Sequence, residues 1–420
     1  MKRVILIINL LILPLLFSCK QIPDSSHVVF FRPSKKISEH YESDKIYPQG
    51  KIFPYSGFSL NKQVLKGNFT IAGPVYTDNN EFLKEAESSG KKAIYSIRAE
   101  NVTHKVLEET QEIDFDKITK SIKKQVSSVA GNRTIAWWYL TPEELRHWKK
   151  NELKYLETAT RAVRESDPLK RPVWMYDPGH RNASSLARTC KYLDICGKGM
   201  YVNYSEFKDS RIFCRWTIEQ EIEAIKISNP AAIPIAVPEM FQEPEPENVK
   251  LIPSWVRHDV YSSLIAGAKG IVIFSFANRK GFKSHDIYFT EYARTADELC
   301  GEMNLGQVFL FGEKRNDISL KITEGPEDLP FFFKAAGMKS PAEYPSINIF
   351  NAAFGNERYL FLVSSANTQV TVEISGFPEN IAIYDIFNKE HIEISDKECM
   401  KITFKPLEVK AFKFSAKMED

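Results

Sequence analysis

Two glutamates each follow a run that predicts a buried strand. Glu143 comes after Thr134-Ile-Ala-Trp-Trp-Tyr-Leu140, and Glu239 comes after Ile233-Pro-Ile-Ala-Val-Pro238. When strands and helices alternate in a barrel, the side chains at the carboxyl ends of the strands meet on one face, and active sites form there. Two carboxyl groups on that face can divide proton donation and nucleophilic attack between them, which is the chemistry of glycosidic bond cleavage.

The two carboxyl groups need different pKa values for this division. The acid must hold a proton near neutral pH, whereas its partner must be ionised. Trp137, Trp138 and Tyr139 provide apolar neighbours that would raise the pKa of Glu143. We therefore expect Glu143 to be the acid/base and Glu239 the nucleophile, with carboxyl groups about 5 to 5.5 Å apart as a retaining mechanism requires.

Alternatives exist for the first of these glutamates. Glu144 follows directly and could be the acid instead, although the offset from the Trp-Tyr-Leu run favours Glu143; Glu144 would then point away or pair with Arg146. The segment Thr-Pro-Glu-Glu is also typical of a helix start, in which case Glu143 would be a solvated first-turn acid.

Further polar and aromatic residues at predicted strand ends could contact a sugar. For each of them, ligand contact and an ordinary loop or core role both remain open. The candidates for substrate binding are Tyr55, Arg98, Trp138, Asp177, His180, Asn203, Tyr204 and Asn278.

Eight short apolar runs, most of them separated by amphipathic stretches, follow one another along the first three hundred residues. The predicted strands are Lys51–Leu60, Phe69–Tyr76, Lys91–Arg98, Thr134–Leu140, Arg171–Tyr176, Gly199–Tyr204, Ile233–Val237 and Gly270–Phe276. The predicted helices are Asn79–Ser89, Phe115–Val129, Glu152–Ser166, Ala183–Leu193, Thr217–Ser228 and Ser254–Ala266. Alternating strands and helices indicate a parallel sheet. Eight units predict a (β/α)8 TIM barrel over residues 50–303, with its first two units the least regular.

The pattern changes after Met303. Short alternating runs separated by turn residues begin with Val308–Phe311 and Ile318–Ile322 and continue to Val409–Phe414. This pattern predicts a C-terminal antiparallel β-sandwich domain over residues 304–420. A structural role for this domain is favoured over a carbohydrate-adhesive one.

The amino terminus is typical of a targeting segment. Lys2 and Arg3 precede an apolar run, Val4–Phe17, that is too short to span a bilayer. Leu16-Phe17-Ser18-Cys19 resembles the bacterial lipobox, which predicts a lipoprotein signal peptide over residues 1–19 and lipidation of Cys19; an ordinary secretory signal is the alternative. Residues 20–49 are predicted to form a tether and an edge segment.

Composition narrows the range of partners and cofactors. The 56 basic and 54 acidic residues leave a formal net charge of only +2. This small excess argues against nucleic-acid binding. Five cysteines remain beyond Cys19, without paired spacing, and clustered histidines are missing from the sequence, so neither a disulfide scaffold nor a zinc site is predicted. We expect an oligosaccharide or polysaccharide substrate, no cofactor, no metal, and membrane association only through the lipid anchor.

Three segments resemble the clan A glycoside hydrolases. They are Trp137-Trp-Tyr-Leu-Thr-Pro-Glu143 at the fourth predicted strand, Val237-Pro-Glu239 at the seventh and Gly270-Ile-Val-Ile-Phe-Ser-Phe276 at the eighth. In that clan the acid/base glutamate ends strand four and the nucleophile ends strand seven. The resemblance implies a retaining hydrolase of β-linked glycans. It departs from the clan pattern at Pro142, where an asparagine is common, and at strand eight, which lacks the usual tryptophan.

Two other functions are consistent with the sequence. A catalytically inactive glycan-binding lipoprotein could retain the barrel. A metal-dependent barrel hydrolase would need histidine or aspartate ligands at strand ends, and the sequence contains no His-x-His.

Overall fold

The computed structural model describes residues 52–59, 62–76, 79–108, 112–205, 207, 210–378, 381–392 and 399–416. The predicted signal peptide, Cys19 and the tether lie outside these residues. Within the described ranges, no helix is both long enough and apolar enough to cross a membrane.

The first part of the chain is a mixed α/β unit built on parallel strands. Its strands are β1 (Tyr55–Gly57), β2 (Ile71–Ala72), β3 (Lys92–Arg98), β4 (Ile135–Thr141), β5 (Val173–Trp174), β6 (Ile195–Cys196), β7 (Gly199–Met200), β8 (Ile233–Pro234), β9 (Val237–Pro238) and β10 (Ile271–Ile273). Six of them form a parallel half-barrel in the order β2-β3-β4-β5-β6-β8. Beyond β6 and β8, the short strands β7 and β9 pair with each other. Two bridges, Ala236–Ile271 and Glu239–Phe274, link the β8–β9 segment to β10 and the residue that follows it. Strand β10 in turn pairs with β1. A further bridge, between Gly57 and Gly73, connects β1 to β2 and so closes the strands into a ring.

Helices connect most of these strands. They are α1 (Lys62–Lys66), α2 (Asn79–Ser88), α3 (Phe115–Val129), α4 (Lys150–Ser166), α5 (Ala183–Cys190), α6 (Ile212–Ser228), α7 (Ile252–Ala266), α8 (His285–Cys300) and α9 (Gly306–Phe311). The prediction of α3 is confirmed at both ends; its N-cap Asp114 accepts a hydrogen bond from the Lys117 amide at 2.9 Å.

One predicted strand is wrong, because Val308–Phe311 belongs to helix α9. A short apolar run does not distinguish a buried strand from a buried helix by its pattern. Here the Gly312 amide donates to the Val308 carbonyl, and Val308, Phe309 and Leu310 are all buried. Helix α8, which precedes it, was also not predicted.

Mostly alternate residues of the strands form one hydrophobic cluster, the exception being Ala136 beside Trp137 on β4, where the pairing with β3 is irregular. Residues from each part of the strand ring contribute to it, among them Phe58, Ile71, Ile94, Trp137, Tyr139, Trp174, Ile195, Ile235, Val237 and Val272. The intervening residues of β4, such as Trp138 and Leu140, instead pack in the cluster formed with the helices. The first cluster is therefore the interior of the strand ring, and strand parity decides which side chains enter it.

The last part of the chain is an antiparallel β domain, as predicted. Its strands are β11 (Glu313–Lys314), β12 (Ser319–Glu324), β13 (Asp328–Phe331), β14 (Ala342–Pro345), β15 (Ile347–Phe354), β16 (Glu357–Ser364), β17 (Val370–Ser375), β18 (Ile381–Asp385), β19 (Glu390–Ile392), β20 (Met400–Phe404) and β21 (Val409–Ala416). A six-stranded sheet and the three-stranded sheet β12-β17-β20 share a core that includes Leu360, Val372 and Phe412.

The β domain also touches the α/β unit near the carboxyl ends of its strands. Hairpin β13–β14 and the turn inside it bring Phe331 and Phe333 against Phe213 and Trp216 of α6. The Asn182 side-chain amide donates to the Ala336 carbonyl at 2.9 Å. The hairpin is thus fixed beside the loops that follow the strands.

A buried ion pair anchors the outer side of β4. Arg171 donates to Asp167 at 3.0 Å through Nε and at 2.8 Å through Nη2, and both side chains are fully buried. The Trp138 indole donates to the same carboxylate at 2.8 Å, and the guanidinium lies 4.5 Å from the indole ring centre.

Replacing Arg171 by methionine should destabilise the protein by about 3–5 kcal/mol, because it leaves the Asp167 charge buried without its partner. Urea denaturation measures this. The control is Lys123→Met, which removes the ion pair with Glu165 whose side chains are 43% and 49% exposed; it should cost less than about 1 kcal/mol. Equal losses of unfolding free energy in the two variants would show that the buried Arg171–Asp167 pair matters no more than an exposed ion pair.

Candidate active site

Glu143 lies two residues beyond β4, with its carboxylate held by two tyrosines. The Tyr76 hydroxyl lies 3.0 Å and 2.9 Å from its two oxygens, and the Tyr139 hydroxyl donates to Oε2. The next helix, α4, begins only at Lys150, so Glu143 is not a first-turn helical acid. That alternative from the sequence is excluded.

The surroundings of Glu143 favour its protonated form. Burial raises the pKa of its carboxyl, while the hydroxyls of Tyr139 and Tyr76 and the nearby His104 oppose that rise. The net result is a pKa above the ordinary glutamate value. A carboxyl of this kind can hold a proton for donation at a pH where an exposed glutamate would have lost it.

Two cavities meet at Glu143. One has a volume of about 490 Å³ and is lined by Glu143, Glu144, His180, Tyr204 and several aromatic rings. The other has a volume of about 330 Å³ and is lined by Tyr76, Arg98, His104, Gln125 and Glu143. Glu143 therefore sits in the middle of a cleft, within reach of a ligand on either side.

Glu239 is placed differently. Glu239 is 3% exposed. Its carboxylate accepts hydrogen bonds from the backbone amides of Asn203, at 2.6 Å, and Tyr204, at 3.2 Å. Burial raises its pKa to about 7, against the opposing effects of the Asn203 amide and of Arg211. The three cavities described for this structure are not lined by Glu239.

Glu144 shares the cleft rather than pointing away from it. It is exposed, lines the 490 Å³ cavity beside Glu143, and has a backbone φ of 57°. The predicted pairing with Arg146 is wrong, because Arg146 instead forms ion pairs with Glu108 and Glu152. Burial raises the pKa of Glu144, and the neighbouring Glu143 carboxylate raises it further.

Four of the other candidate residues line cavities. Arg98, His180 and Tyr204 line the cleft around Glu143. Asn203 lines a different cavity, between the two parts of the chain, and its side-chain amide lies 3.2 Å from the Tyr288 hydroxyl. Asn278 is exposed beyond β10.

Three candidate residues are core residues, which corrects their assignment to sugar binding. Tyr55 is fully buried on the helix side of β1, with its hydroxyl 2.6 Å from Thr295 Oγ1. Trp138 is fully buried and bound to Asp167. Asp177 is fully buried in an ion pair with Arg181. Because successive side chains of a strand point to opposite faces, each of these three residues points away from the ring interior.

Several residues of the cleft were not predicted as ligand contacts. They are Tyr76, Tyr176, Tyr201, Phe241, Phe274 and Phe333. The rings of Tyr176, Tyr201 and Phe274 are mutually stacked at centroid distances between 5.5 Å and 6.1 Å. Tyr176 and Phe274 share the parity of the interior residues on their strands, which is a signal the sequence contains. Phe333 comes from the β domain, and no sequence signal connects it to the cleft.

One group of possible metal ligands is present among the described residues. Cys214, His258 and Asp259 bring ligand atoms within 4.8 Å of one another. However, Asp259 is already bound by Arg211 at 2.8 Å and 2.5 Å, and His258 Nε2 lies 3.0 Å from Ser365 Oγ. A buried guanidinium beside the carboxylate disfavours a cation, so this cluster is better described as a structural network.

Comparisons with known proteins define the fold. No protein-family model matches the chain, and no curated protein matches it either. A solved structure described as a glycoside hydrolase is similar with a TM-score of 0.55 at 12% identity, over 88% of this chain and 94% of that chain. AmyP in complex with maltose has a TM-score of 0.51 at 10% identity, over 79% of this chain and 77% of that one. An Anoxybacillus α-amylase has a TM-score of 0.50 at 10% identity, over 93% and 97%. The chain therefore has a glycoside hydrolase fold.

Replacing Tyr76 by phenylalanine should raise the pKa of Glu143 further, because the variant removes one of the two hydroxyl donors that stabilise the carboxylate. A ¹³C NMR titration of the glutamate carboxyl groups, with the Glu143 signal assigned from Glu143→Gln, measures this. The matched control is Tyr359→Phe, which removes a hydroxyl bound to Glu357 at 2.6 Å in the β domain and should leave Glu143 unchanged. A downward shift of the Glu143 pKa in Tyr76→Phe would show that the Tyr76 hydroxyl does not stabilise the Glu143 carboxylate.

Proposed function

We propose that this protein is a retaining glycoside hydrolase of β-linked glycans, built on a (β/α)8 TIM barrel with a C-terminal β-sandwich. The observation that carries the proposal is the Glu143 carboxyl, which has a raised pKa and stands in the middle of a cleft at the carboxyl end of β4. The glycoside hydrolase fold supports it.

In the proposed first step, Glu143 gives its proton to the glycosidic oxygen while a Glu239 oxygen bonds to the anomeric carbon. The glycosidic C–O bond breaks, leaving a covalent glycosyl ester on Glu239 and the free hydroxyl of the departing sugar. In the second step, Glu143 takes a proton from water, whose oxygen attacks the anomeric carbon and releases Glu239. The two backbone amides on Glu239 hold its ionised carboxylate in place.

The proposed substrate is an uncharged oligosaccharide or polysaccharide. The stacked rings of Tyr176, Tyr201 and Phe274 offer apolar faces on which the C–H faces of sugar rings can pack. When ionised, the Glu144 carboxylate would repel an anionic glycan on the side of the cleft that it lines. The β linkage and the retaining outcome rest on the resemblance to clan A of the two strand segments that end at Glu143 and Glu239. The proposal needs no cofactor.

The proposed location is the bacterial cell envelope, with the protein held to a membrane by a lipid on Cys19. The support for this is the sequence of residues 1–19, in which an apolar run ends at Ser18-Cys19.

A glycan-binding protein without catalytic activity is the second candidate. It is favoured by one observation: Glu239 is 3% exposed and does not line the cavities around Glu143. Such a protein would bind oligosaccharides through the aromatic cleft but would release no reducing ends.

Replacing Glu143 by glutamine should lower kcat on a cleaved glycan by a factor of about 10² to 10⁴, because the variant has no proton to donate. Release of reducing sugar from a panel of plant, algal and host glycans identifies the substrate. The kcat values of the wild type and the variants are then measured on that substrate. The control is Glu144→Gln, which neutralises the adjacent carboxylate and should change kcat far less. Wild-type turnover in Glu143→Gln, or a greater loss in Glu144→Gln, would contradict the assignment.

The pH dependence of kcat/KM should show an acidic limb near pH 7. The nucleophile must be ionised, and burial raises the pKa of Glu239 to about 7, so kcat/KM should fall about tenfold per pH unit below that value. Steady-state rates between pH 4 and pH 9 on the identified substrate test this, after preincubation shows the protein stable throughout. A limb near the ordinary pKa of glutamate, about 4.3, would exclude the buried Glu239 as the titrating nucleophile.

A further inference from the structure

A third cavity lies between the α/β unit and the β domain. Its volume is about 530 Å³, within the range of about 300–1,000 Å³ that is usual for sites of small ligands. One wall comes from the segment after β9 and the start of α7, including Gln242, Asn248 and Trp255. The opposite wall comes from the β domain, through Asn367 and Leu407.

The lining combines neutral polar groups with apolar surface. Four side-chain amides, those of Asn203, Gln242, Asn248 and Asn367, provide both donors and acceptors, and Ser254 adds a hydroxyl. Leu251, Pro406 and Leu407 provide apolar surface beside them. Sugar rings present the matching chemistry, with hydroxyl groups around the edge and C–H groups on the faces.

The two carboxylates of this cavity have different surroundings. Glu243 accepts two hydrogen bonds from Ser284, one from the backbone amide at 2.8 Å and one from the side-chain hydroxyl at 3.0 Å. Glu245, at the cavity edge, is exposed. Because both are acidic and the described residues that line the cavity include no lysine or arginine, an anionic sugar would be repelled. The cavity therefore suits uncharged sugar residues.

The Asn203–Tyr204 segment separates this cavity from the cleft. The side chain of Asn203 lines the cavity, whereas that of Tyr204 lines the cleft that contains Glu143. The backbone amides of the same two residues hold the Glu239 carboxylate. A glycan chain bound in the cavity would thus lie directly beside the segment that positions Glu239.

We propose that the interdomain cavity is a second binding site for neutral sugar residues, distinct from the cleft around Glu143. It would hold a distant part of a long glycan chain or a second chain. The inference rests on the proposed function only for the class of ligand, since both sites would bind uncharged glycans.

The test is calorimetric titration with neutral hexasaccharides of glucose, mannose, galactose and xylose in the Glu143→Gln protein, so that hydrolysis does not interfere. Removing two exposed amides from opposite walls, in Gln242→Ala/Asn367→Ala, should abolish one of two binding events or raise its Kd at least tenfold. The matched control is Asn356→Ala, on the β15–β16 turn outside all three cavities, which should bind as the parent does. Circular dichroism checks that each variant is folded.

The outcomes separate this inference from the proposed function. With Glu143 restored, Gln242→Ala/Asn367→Ala should cleave a short aryl glycoside at the wild-type rate, because the cleft is intact. Unchanged hexasaccharide binding in the double variant, or no binding of any hexasaccharide to the parent at millimolar concentration, would overturn the second site. Absence of glycan cleavage by the wild type would instead refute only the hydrolase proposal, since the titrations do not depend on turnover.

Discussion

The alternation of side chains along the short parallel strands is the constraint on which the cleft depends. On β4, Trp137 and Tyr139 face the ring interior, whereas Trp138 and Leu140 face the helices. Glu143 has the parity of the inward residues and follows them out of the interior into the cleft. Glu239 has the same parity as Ile235 and Val237 of the β8–β9 segment, but it stays buried and does not line the cleft. A shift of one residue in either strand would exchange the two faces and remove a carboxyl group from the carboxyl-end rim.

The two glutamates reach elevated pKa values in different environments. Glu143 is bound by two tyrosine hydroxyls and opens onto two cavities, so it can exchange a proton with a ligand. Glu239 is bound by two backbone amides and is almost completely removed from solvent. A buried carboxylate needs such donors, because its desolvation would otherwise keep it protonated. The hydrogen-bond partners fit the proposed roles of proton transfer for Glu143 and nucleophilic attack for Glu239. The pKa of about 7 means that Glu239 is ionised, as a nucleophile must be, only above neutral pH.

The sequence predicts the parts of this structure that depend on local pattern. The limits of α3, most of β4 and the position of Glu143 beyond it follow from hydrophobic periodicity and the capping Asp114. The same parity rule, applied to β4, would have excluded Trp138 as a sugar platform. Val308–Phe311 could not be assigned from pattern, since a four-residue apolar run suits a buried helix as well as a strand. Phe333 could not be found at all, because it reaches the cleft only through the docking of hairpin β13–β14, a contact between segments distant in sequence.

In the proposed mechanism, Glu239 is the nucleophile and Glu143 is its acid/base partner. The most direct measurement uses the 2-deoxy-2-fluoro dinitrophenyl glycoside of whichever sugar the protein cleaves, because the fluorine slows hydrolysis of a covalent glycosyl-enzyme. After proteolysis, mass spectrometry locates the bound sugar. We expect a single labelled peptide, with the sugar esterified to Glu239. A label on any other carboxylate, or rapid turnover of the parent glycoside without any label, would contradict it.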